Sequence, residues 1–173
     1  MKLIKTAILF VVSAGIAGCA QVLPLDYKNY SGSDAATLYV LNSQGNVGTI
    51  YLGSYTYDSK YSCYDMSDRH ELDSNVFQAK GNIVVVKIKP GVTYAVSQII
   101  NGGEFIKSSY SSLIPDAGKY YYISSGSKAV QVPADFVPGA SANPDNVVKN
   151  YEKNEVKYWN VKKICSPLLF RML

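Results

Sequence analysis

The sequence predicts an all-β protein, an antiparallel β-sandwich carrying one C-terminal α-helix. Three observations predict it. Turn signals recur roughly every 8–15 residues from position 42 to position 133. The runs between them are rich in Val, Ile, Thr and Tyr, residues that suit a pleated, half-buried surface. Helical spacing is evident only after Asn143. With 47% hydrophobic and 17% charged residues in 173, the chain has material for one packed core in one domain, which excludes global disorder.

The first strand is Thr37-Leu38-Tyr39-Val40-Leu41, stopped by Asn42-Ser43-Gln44-Gly45-Asn46. Val47 to Leu52 follows, and the two runs are read as a hairpin. Residues 53–80 are less regular and hold Cys63, His70 and five of the thirteen acidic residues (Asp58, Asp65, Asp68, Glu71, Asp73). Ile83 to Lys89 is the clearest strand. Pro90-Gly91 turns the chain, because Pro presets φ and Gly accepts positive φ, and Val92 to Ile100 is a second strand closed by Asn101-Gly102-Gly103. Another strand is expected within 104–114, then Lys119–Ser124 (KYYYIS), then a short one over Lys128–Val132. Tyr121 is expected to face away from Tyr120 and Tyr122. Asn143-Pro144-Asp145 reads as an N-cap, a Pro at the first helical position and an acidic first turn. Val147, Val148, Tyr151, Val156, Tyr158 and Trp159 then predict a helix over 144–159. The last eight residues are largely apolar but too few to span a membrane, so an edge strand or a docked segment is expected.

The N-terminus reads as an export signal. Lys2 and Lys5 precede thirteen uncharged, mostly apolar residues, Thr6–Gly18, too few for a spanning helix and right for a signal-peptide core. The run ends in Ile16-Ala17-Gly18-Cys19, which resembles the lipobox of bacterial lipoproteins. The resemblance implies diacylglycerol on the Cys19 thiol, cleavage after Gly18 and N-acylation, and three acyl chains hold a protein firmly to a bilayer. Ala20, where an Asp would favour inner-membrane retention, implies the outer membrane, with the protein facing the periplasm. The organisation expected is a signal peptide over 1–18, a lipidated tether over 19–36 with Pro24 and Gly32, a sandwich over 37–142, and a C-terminal helix and tail over 143–173 docked on it. Loss of Lys2 and Lys5 leaves fifteen basic against thirteen acidic residues, a net charge of +2, which weighs against nucleic acid as a partner.

With Cys19 spoken for, Cys63 and Cys165 remain. In an oxidising compartment they read as a disulfide. Two free thiols, or a metal pair with His70, are the alternatives, but Cys63 and His70 are not at a zinc spacing and further ligands are missing.

Ala36-Thr37-Leu38-Tyr39-Val40, Ile88-Lys89-Pro90-Gly91 followed by Tyr94, and Ala117-Gly118-Lys119-Tyr120-Tyr121-Tyr122-Ile123 resemble a family of small bacterial lipoproteins with an uncharacterised, transthyretin-like β-sandwich domain. The resemblance spans about 36–125 and implies fold and location, not a reaction. The chain departs from it in the 53–80 stretch, Cys63 and the C-terminal extension. A second likeness, in size and sandwich type but in no sequence stretch, is to the outer-membrane lipoprotein of type VI secretion systems, and implies a secretion-associated role as an alternative.

No catalytic residue is assigned, and no cofactor or metal is expected. Asp65, Asp68, Glu71 and Asp73 lack the alternating D-x-[DN]-x-[DN]-G spacing of a calcium loop and read as a solvated acidic loop. His70 reads as a surface-loop residue, with general-base chemistry as its rival, and no G-x-S-x-G elbow occurs. Fifteen Tyr serve first as strand residues. Tyr55, Tyr57, Tyr61 and Tyr121 are the candidate aromatic binding surface, since ring faces stack on apolar sugar faces. The function expected is a lipid-anchored interaction module of the cell envelope with a protein partner. The alternatives are an envelope hydrolase built on 53–80 and a glycan- or peptidoglycan-binding module.

Overall fold

A computed structural model describes residues 25–42, 49–72, 81–101, 106–124, 126–139 and 144–165. The residues read as a signal peptide, Cys19, Asp73, the turns expected at Gly45 and Gly102-Gly103, Asn143 and the apolar tail from 166 lie outside the described residues.

Among the described residues nine strands form two facing sheets. They are β1 (Leu25–Asp26), β2 (Ala36–Leu41), β3 (Ile50–Asp58), β4 (Cys63–Glu71), β5 (Ile83–Ile88), β6 (Thr93–Asn101), β7 (Ile106–Leu113), β8 (Tyr120–Ser124) and β9 (Val130–Val132). One sheet runs β1-β4-β3-β6-β7 and the other β5-β2-β8-β9. A short helix α1 (Pro144–Tyr151) and a 3₁₀ turn (Val161–Lys163) follow β9. The architecture is the all-β sandwich with a C-terminal helix that the strand pattern predicts.

Both sheets are mixed rather than purely antiparallel: β2 pairs parallel with β8, and β1 parallel with β4. The expected hairpin of β2 and β3 does not form. β2 pairs with β5 and β8, while β3 pairs with β4 and β6. β2 and β3 thus lie in different sheets, and so do β5 and β6, which Pro90-Gly91 joins, with Gly91 at φ 74°. A turn signal marks where the chain reverses, but not whether the next strand joins the same sheet.

Alternation then decides the core. Leu38 and Val40 of β2, Ile50 and Leu52 of β3, Ile88 of β5, Val96 of β6, Leu113 of β7, and Tyr121 and Ile123 of β8 all point between the sheets, each at most 3% exposed. Tyr122 faces the other way, as period two requires, and packs with Leu41, Val130 and Val132 beneath Val147 of α1. The helix thus covers the outer face of the smaller sheet.

The helix predicted to run to 159 stops at Tyr151. The Asn154 N–H donates to the Tyr151 carbonyl, and its side-chain amide donates to the Gln131 carbonyl of β9. The chain then extends, with the Ile114 N–H donating to the Lys157 carbonyl at 2.8 Å. Tertiary partners override the helical spacing, because Trp159 has a larger area to bury on the far face of the other sheet. Residues 25–30, expected to be part of the tether, are hydrogen-bonded to the body. The Tyr27 N–H donates to the Glu71 carbonyl of β4, its hydroxyl to the Lys87 carbonyl of β5, and Asn29 accepts the Lys87 N–H at 2.7 Å. This segment closes the open side between the two sheet edges.

Candidate functional site

The stretch 53–80, expected as irregular, is largely the β3–β4 hairpin. Its turn is set by Asp58, whose carboxylate accepts the Lys60 and Tyr61 N–H groups, and by Ser62 in the left-handed region at φ 52°. A register shift between Ser54 and Tyr55 marks a bulge. It divides the hairpin's side chains between two environments.

On the outer face Tyr55, Tyr64 and Trp159 pack as one cluster with Ala95, and Tyr57 extends the row. Ring centroids lie 4.8 Å apart for Tyr55–Trp159, 4.6 Å for Tyr64–Trp159 and 5.1 Å for Tyr57–Tyr64. The indole N–H donates to the Tyr94 carbonyl at 2.6 Å. Gly53 makes this packing possible: a Cβ there would lie 2.9 Å from the Tyr55 ring. Cys63 and Cys165 form a disulfide with Cα atoms 5.0 Å apart, and the Cys165 N–H donates to the Tyr64 carbonyl. The C-terminal segment is thereby clamped across the larger sheet.

The proposed aromatic surface of Tyr55, Tyr57, Tyr61 and Tyr121 is thus half dismantled. Tyr121 is 1% exposed in the core, where its hydroxyl accepts the Asp116 N–H, and Tyr55 is 5% exposed under Trp159. Only Tyr57 and Tyr61, at 49% and 43%, face solvent. Alternation put Tyr121 inward, and the bulge plus the C-terminal segment covered Tyr55.

The inner face of the same hairpin departs from the sandwich rule. Inward positions on β4 are Asp68 and His70, where a core strand would carry aliphatic residues. Pairing sets Ser54 opposite Asp68 on one side and Tyr94 on the other, and Leu52 opposite His70. The result is a cavity of about 330 Å³, partly open to solvent. Ser54, Thr56, Ser67, Asp68 and His70 form a polar wall, and Tyr27, Leu52, Val92 and Tyr94 a largely apolar one. Thr56 and Ser67 share a hydrogen bond of 2.8 Å.

His70 is therefore no loop residue. It sits on a strand with its ring edge-on to Tyr27, centroids 5.6 Å apart, and its Nδ1 is buried without a hydrogen-bond partner. Burial pushes the Tyr27 phenol well above its usual range, and the nearby Tyr94 phenol pushes it further. Burial also raises Tyr94. Both hydroxyls hold their protons at neutral pH.

Of the acidic residues read as one loop, Asp65, Asp68 and Glu71 are on β4, where successive side chains point to opposite faces: Asp68 lines the cavity, while Glu71 lies opposite Tyr51 on the other face. Among the described residues no group of three or more His, Cys, Asp or Glu is placed to hold a metal ion. Among the described residues no helix is long and apolar enough to cross a membrane. The cavity was missed in the sequence because its polar wall resembles a solvated loop. The available signal was the aromatic and β-branched content of Tyr51–Tyr57 directly before it. No protein-family model, curated protein or solved structure matches this chain.

Proposed function

We propose that the chain is an exported, lipid-anchored β-sandwich that serves as a binding module of a bacterial cell envelope, facing the periplasm from the outer membrane. The observation that carries this reading is the Cys63–Cys165 bond. Such cross-links persist in oxidising compartments and are rare in the cytosol, which agrees with the export signal and lipobox read at residues 1–19. With Cys19 acylated, the six peptide units to Leu25 reach at most about 20 Å, so the body is held close to the headgroups.

The hydrolase alternative draws on Ser54, Ser67, Asp68 and His70 sharing a cavity. A nucleophile–imidazole–carboxylate arrangement needs a partner on the imidazole's second nitrogen to fix its tautomer and orientation. Here Nδ1 has none, which favours recognition over turnover. Labelling cells with a palmitate analogue tests the anchor. The wild-type chain is expected to label and to fractionate with the outer membrane, and Cys19→Ser to lose both. Persistent label on the Cys19→Ser protein would refute it.

A further inference from the structure

A sandwich core is normally apolar, and polar residues at inward positions mark places where the packing rule yields to another demand. The inward row of β4 is such a place. The cavity it lines has one wall of hydroxyl, carboxylate and imidazole groups and an opposite wall of Tyr27, Leu52, Val92 and Tyr94. Among the described residues no Lys or Arg lines it, and Asp68 is the one carboxylate. An anion would meet that carboxylate without compensation. A purely apolar ligand would strip water from the hydroxyl and carboxylate groups of the polar wall without replacing those hydrogen bonds. The complementary ligand has an apolar face and a rim of hydroxyl donors. The volume is that of about ten waters, which limits the ligand to about a dozen non-hydrogen atoms.

We propose that this cavity binds a single neutral or amino-sugar pyranose ring, its C–H face against Tyr94 and Tyr27 and its hydroxyls on Asp68, Ser54 and Ser67. Tyrosine faces accept the axial hydrogens of such a ring, and an ionised carboxylate accepts hydrogen bonds from two neighbouring hydroxyls. The phenols stay neutral and so add no charge to the apolar wall. The proposal gives the binding-module reading its ligand, and it rests on that reading only for the compartment in which envelope sugars are met.

The test is saturation-transfer NMR and calorimetry on the purified full-length protein in detergent. The probes are glucose, glucosamine, N-acetylglucosamine, glucuronate and choline. For a ligand of this size a dissociation constant of order millimolar is expected. At least one of the first three sugars should bind saturably, with glucuronate at least tenfold weaker. Asp68 is exposed at the rim, so its substitution leaves the fold intact. Asp68→Ala should weaken binding at least tenfold and Asp68→Asn less. Tyr57→Ala, outside the cavity, should leave it unchanged. Absence of saturable binding for all three sugars would overturn the proposal, as would binding indifferent to Asp68, or choline binding tighter than every sugar. Palmitate labelling of the same protein is scored separately, so a failed sugar site does not count against the anchor, or the reverse.

Discussion

Removing the Cys63–Cys165 cross-link should cost a large share of the protein's stability. The bond joins residues 102 apart in sequence. In the chain-entropy account a loop of that size restricts the unfolded ensemble by about 4.7 kcal/mol at 25 °C. A single domain is stable by only about 5–15 kcal/mol in total. The folded geometry should survive, because Trp159, six residues before Cys165, keeps the segment seated in the Tyr55–Tyr64–Ala95 cluster. The chain's one Trp is therefore a built-in reporter of the clamp. The assay is urea unfolding at 25 °C, followed by Trp fluorescence and far-UV circular dichroism. It compares Cys19→Ser with the same chain carrying Cys63→Ser and Cys165→Ser. At a slope of about 2 kcal/mol per molar urea, the midpoint should fall by roughly 2 M. Both probes should move together. A fall below about 0.5 M at unchanged slope would refute the unfolded-state argument. A Trp transition that precedes the dichroism change would show that the bond secures only the tail.

Two further outcomes are expected. Trp159→Phe keeps a ring in the cluster but removes the indole N–H from the Tyr94 carbonyl, so urea unfolding should show a loss of about 1–3 kcal/mol; a loss below 0.5 kcal/mol would place the value of Trp159 in its ring alone. Alkali should destabilise the fold. Burial raises the Tyr55 phenol, helped by the nearby Tyr110 and opposed by Arg69, to about 12, and it raises Tyr27 and Tyr94 as well. Below the ordinary phenol value of about 10 both folded and unfolded chains hold these protons, so stability is independent of them. Between about 10 and 12 only the unfolded chain releases them, so unfolding becomes easier as pH rises. Denaturation midpoints measured from pH 8 to 12 should be flat and then fall, and Tyr55→Phe should reduce the fall; an identical fall in the variant would refute the assignment.

Much of the fold was legible because its signals are local. Val84 and Val86 against Val85 and Lys87, or Tyr121 against Tyr120 and Tyr122, carry the period of two in neighbouring residues. The pairing of strands was not legible. Gly45 and Pro90-Gly91 are turn signals in the sequence, yet β2 and β3, like β5 and β6, lie in different sheets. The β3–β4 hairpin was hidden for a related reason: apart from Cys63, Tyr64 and Met66, β4 is polar. Its inner face borders a cavity rather than a core, and its outer face is partly covered by a segment about a hundred residues later. The helix that ended early shows the same effect, since Tyr158 and Trp159 keep helical spacing in sequence but answer to Ala129 and Tyr94 in space.

The sequence alone determined which runs are extended, where the chain turns, and which side chains share a face, because these follow from backbone sterics and a two-residue period. What lies on the other side of each face was decided only by tertiary structure. That buried Tyr55 and Tyr121, brought Cys165 to Cys63, and set Asp68 and His70 opposite two tyrosines. Covering a face takes residues distant in sequence, and no local pattern encodes which of them will arrive.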